Sequence, residues 1–261
     1  MINHDEIKSH ITGVLDKKTG KEVVEEKIDD IDSGDVSPFF LALFGKQITL
    51  TAKIAQSYQT KFGMSLWEQI SQKLATSVGW ECKTQYKLRG NISPQCQEYI
   101  HNLLEDKEYR PKRINEIQEI RRKSRNFMAD PHEYPDSTVD VFIKKPDGTE
   151  ICIDITTVKP SKKEFRALKR KLLMWSALRF SQDDAVNFEP YIAIPYNPNA
   201  GANNEYNNHR GAYDRSDLLV GDELWKKVSN NEFGIAELIS VFENIGTDLK
   251  SEIEHAINNH E

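Results

Sequence analysis

The sequence predicts an α/β protein with a mixed central β-sheet flanked by helices. Two segments of alternating polarity, VDVFIKK and EICIDIT, flank the tetrapeptide PDGT, which predicts a β-hairpin with a glycine-containing turn. A long helix is predicted to begin at Ser161, because Glu164 follows it with the spacing of a capping box. The apolar segment EPYIAIPY then predicts a buried strand. Helices and strands that alternate along a chain are typical of a sheet covered by helices.

The N-terminal part of the chain is predicted to be helical. Residues 1–36 are interpreted as an arm, in which a helix is followed by an acidic connector, and residues 37–261 as a single domain. The apolar segment from Pro38 to Gly45 is predicted to be buried. Over residues 49–78 the apolar spacing is helical, and Gly63 is expected to separate two helices or to kink one.

Start signals and apolar runs predict the remaining elements. Ser93-Pro94 predicts the start of a further helix, and a basic helical stretch is expected to continue to about Arg125. A polar loop over residues 197–215 is predicted to follow the EPYIAIPY strand. A short strand at LLV and two helices complete the chain.

The composition excludes several classes of protein. The chain has 261 residues, of which 38% are hydrophobic and 29% charged, and a net charge of −6, as in ordinary globular proteins. It has no apolar run near the roughly 18 residues of a membrane helix and no signal-peptide pattern at its start. Three cysteines are too few for a disulfide framework or a zinc knuckle. These observations predict a cytoplasmic protein with reduced cysteines and no membrane partner.

The charges are segregated along the chain. Seven acids and one base lie in residues 22–35, whereas eight bases and three acids lie in residues 107–125. Residues 159–179 carry eight bases and one acid. Such segregation is typical of a chain that meets a polyanion on one side. Solvated helix faces explain the same pattern, and that alternative stays open.

The predicted hairpin places two acids opposite each other. If Gly148 adopts the left-handed conformation of a three-residue turn, Asp140 pairs with Asp154. Directly paired residues share one face of a sheet, so this face also carries Thr156, while the other face is wholly apolar. Two opposed carboxylates repel each other unless a cation lies between them. The alternatives are solvent-facing acids, or a register shifted by one residue that puts the acids on opposite faces.

A hard divalent cation suits this pair of acids. Mg²⁺ binds one or two protein carboxylates, retains several water molecules and completes its shell with phosphate oxygens. It can polarise a phosphodiester and offset charge on the leaving oxygen. The hypothesis is therefore Mg²⁺-dependent phosphodiester chemistry, with Mn²⁺ expected to substitute. The sequence contains no GxGxxG or Walker loop, so we expect no nucleotide cofactor.

An acid on one strand, a short turn, an acid on the next strand and a basic helix together resemble the PD-(D/E)xK nuclease core. More specifically, residues 37–245 are similar to the TdeIII-type family of type II restriction endonucleases. The similar segments are SPFFLALF, FGMSLWEQISQKLA, KTQYKLRGNIS, VDVFIKKPDGTEICIDITTVKPSKKEFRALKRKLLMWSAL, YIAIPYNPNA and LLVGDELWKKV.

The resemblance implies a restriction-endonuclease-like core in a bacterial or archaeal enzyme that cleaves double-stranded DNA, with a target of GGNCC type. A short, palindrome-like target in turn predicts a homodimer. A cognate DNA methyltransferase is the expected genetic partner.

The resemblance also assigns roles to acids. Asp140 and Asp154 match the two metal-binding acids, and Glu68 matches a glutamate that many such cores carry on a helix near the metal. An exposed acid beside the buried Trp67 is the alternative interpretation of Glu68.

The lysine of the motif is missing from its usual position. The motif expects lysine two residues after the second acid, where this chain has Thr156. We expect Lys159 to take its place, because the family also tends to carry a lysine there. Lys162 or Lys163, or Thr156 acting without any lysine, are the alternatives.

Two regions are predicted to contact DNA. The basic helix after the hairpin suits phosphate contacts. It carries Lys162, Lys163, Arg166, Lys169, Arg170 and Lys171, and the first five are the candidates for DNA binding. The polar loop suits base readout, because asparagine pairs with adenine edges and arginine with guanine edges. Its candidates are Asn208, His209, Arg210 and Arg215. Asparagine also builds turns for local reasons, so a purely structural loop is the alternative.

The sequence therefore predicts a type II restriction endonuclease. Three alternatives stay open: a DNA-binding protein on the same fold that does not cleave, a repair-type or RNA nuclease without a fixed target site, and a protein that binds other proteins through its charged segments.

Overall fold

A computed structural model describes residues 2–15, 20–61, 63–106, 108–125, 130–198, 205–209 and 211–258. The helices are α1 (His4–Leu15), α2 (Gly20–Asp32), α3 (Pro38–Lys61), α4 (Met64–Ser77), α5 (Pro94–Glu105), α6 (Arg113–Ser124), α7 (Lys162–Gln182), α8 (Asp222–Val228) and α9 (Ile235–Asn258). The strands are β1 (Glu81–Lys87), β2 (Thr138–Lys144), β3 (Glu150–Ile155), β4 (Phe188–Ile194) and β5 (Leu218–Val220).

The chain divides into two compact units. One comprises Met1–Ile2 and Ser71–Ile235, and the other comprises Asn3–Ile70 and Ala236–Glu261. The division at residues 70/71 and 235/236 does not coincide with the expected boundary after residue 36. An N-terminal arm followed by one domain stays a prediction about how the chain is organised.

The first unit is built on a five-stranded mixed sheet in the order β1-β2-β3-β4-β5. The pairs β1–β2 and β2–β3 are antiparallel, whereas the pairs β3–β4 and β4–β5 are parallel. A parallel pair needs a long crossover connection, and α7 supplies it between β3 and β4. The predicted mixed sheet flanked by helices is therefore confirmed.

The predicted hairpin register is also confirmed. Val141 pairs with Ile153 and Phe142 with Cys152, as the three-residue turn requires. The amide of Lys145 donates to the carbonyl of Thr149 at 2.9 Å, and Gly148 has a φ of 83°. A side chain is disfavoured at that φ, so glycine fixes the turn and the turn fixes the register.

Both faces of the hairpin are covered. The predicted apolar face is almost fully buried, and its members are Val139, Val141, Ile143, Ile151, Ile153 and Ile155. On the other face Phe142 and Cys152 belong to one buried cluster with Trp175 and Leu178 of α7. This second face is the one that carries the acids, so α7 packs beside them.

Several helix signals are confirmed. The hydroxyl of Ser161 accepts from the amide of Glu164, whose carboxylate accepts from the amide of Ser161, so α7 begins with the predicted capping box. Ser93 caps α5, and Gly63 lies between α3 and α4. The strand predicted at LLV and the two C-terminal helices are present as β5, α8 and α9.

Two expectations in the second unit were wrong. The acidic segment is not a connector but helix α2, because Val23, Val24 and Ile28 form a buried stripe in one cluster with Leu50 and Ile54 of α3. Apolar residues on one helix face stabilise the helix whatever the charge of the opposite face.

The segment from Pro38 to Gly45, which was expected to be buried, opens α3 with exposed apolar side chains. Phe39 is 78% and Leu43 76% exposed. Gly45 breaks the helical geometry inside α3 with a φ of 73°. Across the part of the chain that the structure describes, no helix has the length and apolarity needed to cross a membrane.

Candidate active site

Asp140 and Asp154 lie on adjacent strands with their carboxylates on the same face of the sheet. Val141 and Ile153 form a direct pair across the ladder. Asp140 comes just before Val141 and Asp154 just after Ile153, so the two acids are the next positions along the two antiparallel strands. The amide of Ile155 donates to Oδ2 of Asp140 at 2.8 Å, so the carboxylate reaches across to the neighbouring strand. The one-residue register shift that would have separated the acids does not occur.

Asp154 is buried and Asp140 is half-buried, so both carboxylates are removed from part of their solvent. Asp154 is 4% exposed, and burial raises its pKa to about 6, against the lowering effect of Lys171. The negative charge of Asp140 raises the pKa of Asp154 further. Burial also raises the pKa of Asp140, which the hydrogen bond from Ile155 opposes. Groups in this situation gain from a nearby cation, because a cation favours their charged form.

Lys171 is the cation that contacts Asp154, and sequence reasoning did not assign it to the site. Its Nζ pairs with Oδ1 of Asp154 from helix α7. The same Nζ lies 5.3 Å from the centre of the Trp175 ring, one helical turn further on. A lysine four residues before a buried tryptophan was visible in the sequence, but its distance from the hairpin was not.

Gln85 is a second residue that sequence reasoning missed. Its Nε2 donates to Oδ1 of Asp140 at 3.4 Å. Gln85 lies on β1, the edge strand that was not predicted, so its proximity to the acids had no signal in the sequence.

The predicted replacements for the motif lysine lie just beyond β3. The amide of Thr156 donates to the carbonyl of Ala193 at 2.9 Å, which extends the pairing with β4, and its side chain is half-buried. Lys159 is exposed in the connection to α7, and Lys162 and Lys163 are exposed in the first turn of α7. Their catalytic roles stay predictions.

Glu68 lies on α4 in the second unit and is 7% exposed. The alternative of an exposed acid is therefore wrong, because the side chain is buried. Its predicted role beside a metal stays a prediction.

Lys169 was predicted to contact DNA, but it is buried in the first unit. Its Nζ pairs with Glu116 and with Asp217, the latter at 2.6 Å, and the side chain is 1% exposed. Asp217 is also paired with Arg113 at 3.2 Å. A phosphate cannot reach an ammonium ion enclosed in this way, so the prediction for Lys169 was wrong. Arg166 and Arg170 are exposed on the same helix and remain candidates.

The polar loop shows internal contacts at two of its predicted DNA-reading residues. Nδ2 of Asn208 donates to the carbonyl of Pro160 at 3.3 Å. Arg215 forms a two-pronged ion pair with Glu223, both contacts at 2.8 Å, and is about half exposed. His209 is exposed and has a φ of 51°, a turn conformation. Arg210 lies outside the described residues. The roles of this loop in base readout stay predictions.

The acids fit a cation that needs few protein ligands. Within the ranges that the structure covers, no group of three or more histidine, cysteine and acidic side chains is placed to hold a metal ion. Zinc sites normally use three or four such ligands, whereas Mg²⁺ binds through one or two carboxylates. Asp140 and Asp154 offer only oxygen atoms as ligands. Burial raises the pKa of both carboxyl groups, and a bound cation would oppose that rise by favouring their charged form.

Several type II restriction enzymes are similar in sequence to this chain. A sequence model of the family described as "Type II restriction endonuclease, HinfI" matches residues 3–246. The chain is 22% identical to the type II restriction enzyme MjaII of Methanocaldococcus jannaschii, over 75% of the chain and 55% of that enzyme. It is 21% identical to the type II restriction enzymes HgiCII and HgiEI of Herpetosiphon aurantiacus, over 97% of the chain and 96% of each enzyme. The chain thus spans about half the length of MjaII and nearly all of the other two.

Proposed function

Because the chain belongs to the HinfI family of type II restriction endonucleases, we propose that it hydrolyses double-stranded DNA at a specific site with Mg²⁺. Membership of this family supports the predicted enzyme class. The assignment to a PD-(D/E)xK core and to the TdeIII-type enzymes, which the sequence resembles, forms part of the proposal. The arrangement of the hairpin, the following helix and the parallel strands supports it.

The observation that carries the proposal is the pair of desolvated acids on one face of the hairpin. Asp140 and Asp154 would hold the cation, which on binding would supply positive charge to the phosphodiester and to the leaving oxygen. In the hydrolysis, the oxygen of a water molecule bonds to phosphorus and the bond from phosphorus to one deoxyribose oxygen breaks. One proton of the water goes to the leaving oxygen, and the other stays on the new phosphate or passes to solvent. The products are a phosphate monoester and a hydroxyl group.

The chain's own residues prepare this site before any ligand binds. Ile155 and Gln85 hold the Asp140 carboxylate from two directions, at 2.8 and 3.4 Å. Pairing between β2 and β3 holds Asp154 on the same face, so the two acids need little reorganisation. Preorganised charged groups of this kind are the main source of electrostatic catalysis.

The finer features of the enzyme are part of the same proposal. We expect a GGNCC-type target, a homodimer whose symmetry matches that target, Mn²⁺ as a substitute cation and a cognate methyltransferase in the same cytoplasm. Exposed basic residues of α7, Arg166 and Arg170 among them, would contact phosphates.

The proposal is tested by incubating the full chain with unmethylated phage DNA of known sequence and Mg²⁺, and by sequencing the fragment ends. We expect discrete fragments whose ends share one short sequence. Asp154→Asn is the matched variant, and we expect it to lose cleavage while it retains DNA binding in Ca²⁺.

The alternatives predict other results in the same experiment. Fragment ends without a common sequence would indicate a repair-type nuclease. DNA binding without cleavage in any divalent cation would indicate a DNA-binding protein that has lost its activity. A chain that is not retained on DNA at low salt would contradict a DNA enzyme altogether.

A further inference from the structure

Lys171 occupies an unusual position for a lysine of the basic helix. It is the tenth residue of α7, yet its Nζ contacts Asp154 on the sheet rather than facing solvent. The side chain of Lys171 is 22% exposed and that of Asp154 is 5% exposed. The pair is therefore largely desolvated, although the Lys171 side chain keeps some contact with solvent.

The surroundings of Lys171 restrict where its ammonium ion can go. The ring of Trp175 lies beneath it at 5.3 Å, and the indole Nε1 donates to the carbonyl of Asp136 at 2.9 Å. A hydrogen-bonded, fully buried tryptophan is a fixed support. A lysine chain that normally samples many rotamers is thus held with its charge beside the acids.

Lys169 and Lys171 both lie on α7, but their surroundings differ. Side chains two positions apart on an α-helix are separated by about 200° around the helix axis, so they point in nearly opposite directions. Lys169 points to Glu116 and Asp217, which enclose it completely. Lys171 has Asp154 beside it and remains partly open. The first arrangement suits a structural ion pair, and the second suits a charge that can change partners.

We infer that Lys171 is the catalytic lysine of this chain and replaces the motif lysine that Thr156 displaced. Before the cation binds, its ammonium ion neutralises Asp154. If Asp154 held the cation instead, the Lys171 ammonium ion would be free to donate hydrogen bonds to the oxygens of the scissile phosphate. This inference rests on the proposed function, because it names the group that stabilises the developing charge in that reaction.

Shared use of Asp154 has a consequence that a structural lysine would not produce. Lys171 and the bound cation would both be attracted to the Asp154 carboxylate and would repel each other, so they would compete for it. Removal of Lys171 is therefore expected to slow cleavage and, at the same time, to strengthen cation binding. A lysine that only paired with Asp154 would also strengthen cation binding when removed, but its removal would not slow cleavage.

The test compares Lys171→Met with Lys227→Met. Lys227 is a matched control, because its Nζ pairs with Glu189 on β4 at 2.5 Å and lies 5.1 Å from the Tyr191 ring. Glu189 pairs with Ile151, so it lies on the face of the sheet opposite to Asp154. Each variant thus removes a partly buried helix lysine from one strand carboxylate and one aromatic ring.

Three quantities are measured for each full-length variant at pH 8. They are the single-turnover cleavage rate with Mg²⁺, the affinity of the DNA-free protein for Mn²⁺ by calorimetry, and the thermal midpoint in EDTA. For Lys171→Met we expect a loss of about 100-fold in rate and a gain of roughly tenfold in Mn²⁺ affinity. For Lys227→Met we expect the cleavage rate and the Mn²⁺ affinity to stay within about threefold of the wild type.

Cleavage by Lys171→Met within threefold of the wild-type rate would overturn the inference, as would slower cleavage without tighter Mn²⁺ binding. Lys171→Gln is tested in the same way if the methionine variant does not unfold cooperatively. A wild-type chain that cleaves with no divalent cation would instead contradict the proposed function, which separates the two failures.

Discussion

At the scale of single residues, Asp154 shows how a candidate catalytic group can oppose stability. Its carboxylate is 4% exposed, and burial raises its pKa to about 6 even though Lys171 is beside it. A pKa of about 6 against the ordinary 3.8 means that the folded protein disfavours the charged form by about 3 kcal/mol. At neutral pH the protein therefore carries a charge that its fold disfavours, which is expected for a group that needs a cation.

The raised pKa of Asp154 predicts that the effect of Asp154→Asn on the free energy of unfolding depends on pH. Since the folded pKa is about 6 and the unfolded value 3.8, the folded state binds more protons between these values. The stability that Asp154 contributes is present below about pH 4 and is lost above about pH 6. Relative to the wild type, the variant is expected to gain up to about 3 kcal/mol between pH 4 and pH 7.5. Urea unfolding of both proteins in EDTA, at several pH values between 4 and 7.5, measures this difference in stability.

Asp147→Asn in the turn of the same hairpin is the control. Asp147 accepts from the amide of Thr149 at 2.9 Å, and this hydrogen bond lowers its pKa. Its variant is expected to lose stability as the pH rises, which is the opposite sign. Equal effects of pH on the wild type and Asp154→Asn would contradict the account of Asp154.

At the scale of elements, the hairpin turn determines whether the acids share a face. Gly148 has a φ of 83°, and a Cβ added there would meet no atom within 4 Å. The cost of Gly148→Ala is therefore backbone strain alone, and we expect a loss of about 1 kcal/mol in the free energy of unfolding. Since the register is also held by the apolar face, cleavage is expected to persist.

Gly13→Ala supplies the comparison for that measurement. Gly13 lies inside α1, is exposed, and likewise has no atom within 4 Å of an added Cβ. There the substitution is expected to stabilise by up to about 1 kcal/mol, because alanine favours the helix. Equal effects of the two substitutions in urea unfolding would contradict the role assigned to the left-handed turn.

The elements that the sequence predicted are those with local signals. The hairpin has its glycine turn, α7 its capping box and α5 its Ser-Pro start, and all three were predicted correctly. Strand β1 was missed because Cys82 is its one buried residue, so an edge strand of this kind has little apolar periodicity. Helix α2 was missed because its acids obscured a buried stripe of valine and isoleucine.

The residues of the candidate site likewise divide into those that local sequence signals predict and those that they do not. Asp140 and Asp154 could be paired from the sequence, because one turn separates their strands. Lys171 and Gln85 could not be placed, since α7 and β1 reach the acids by tertiary packing, which leaves no spacing rule in the chain. Lys169 was assigned wrongly for a related reason: a basic helix shows its charges in the sequence, but not which of them face Glu116 and Asp217.

At the scale of the whole molecule, a chain with a net charge of −6 must bind a polyanion through a local surface. Buried and paired cations such as Lys169 and Arg113 do not contribute to that surface. We expect the exposed bases of α7, the helix that also carries Lys171, to form it. Salt dependence would count the phosphates contacted by this helix, because each contact releases counterions.

Arg166→Ala is expected to reduce the slope of log Kd against log salt by about one, which corresponds to one phosphate contact. Fluorescence anisotropy on a target duplex in Ca²⁺, between 50 and 200 mM KCl, measures the slope. The control is Lys21→Ala on α2, where the lysine is 71% exposed and 3.6 Å from Glu25. That variant removes the same charge from the molecule, so a general effect of net charge would change both slopes equally. A slope that falls for Arg166→Ala alone would locate the phosphate contact on α7, and an unchanged slope would remove Arg166 from the DNA-binding surface.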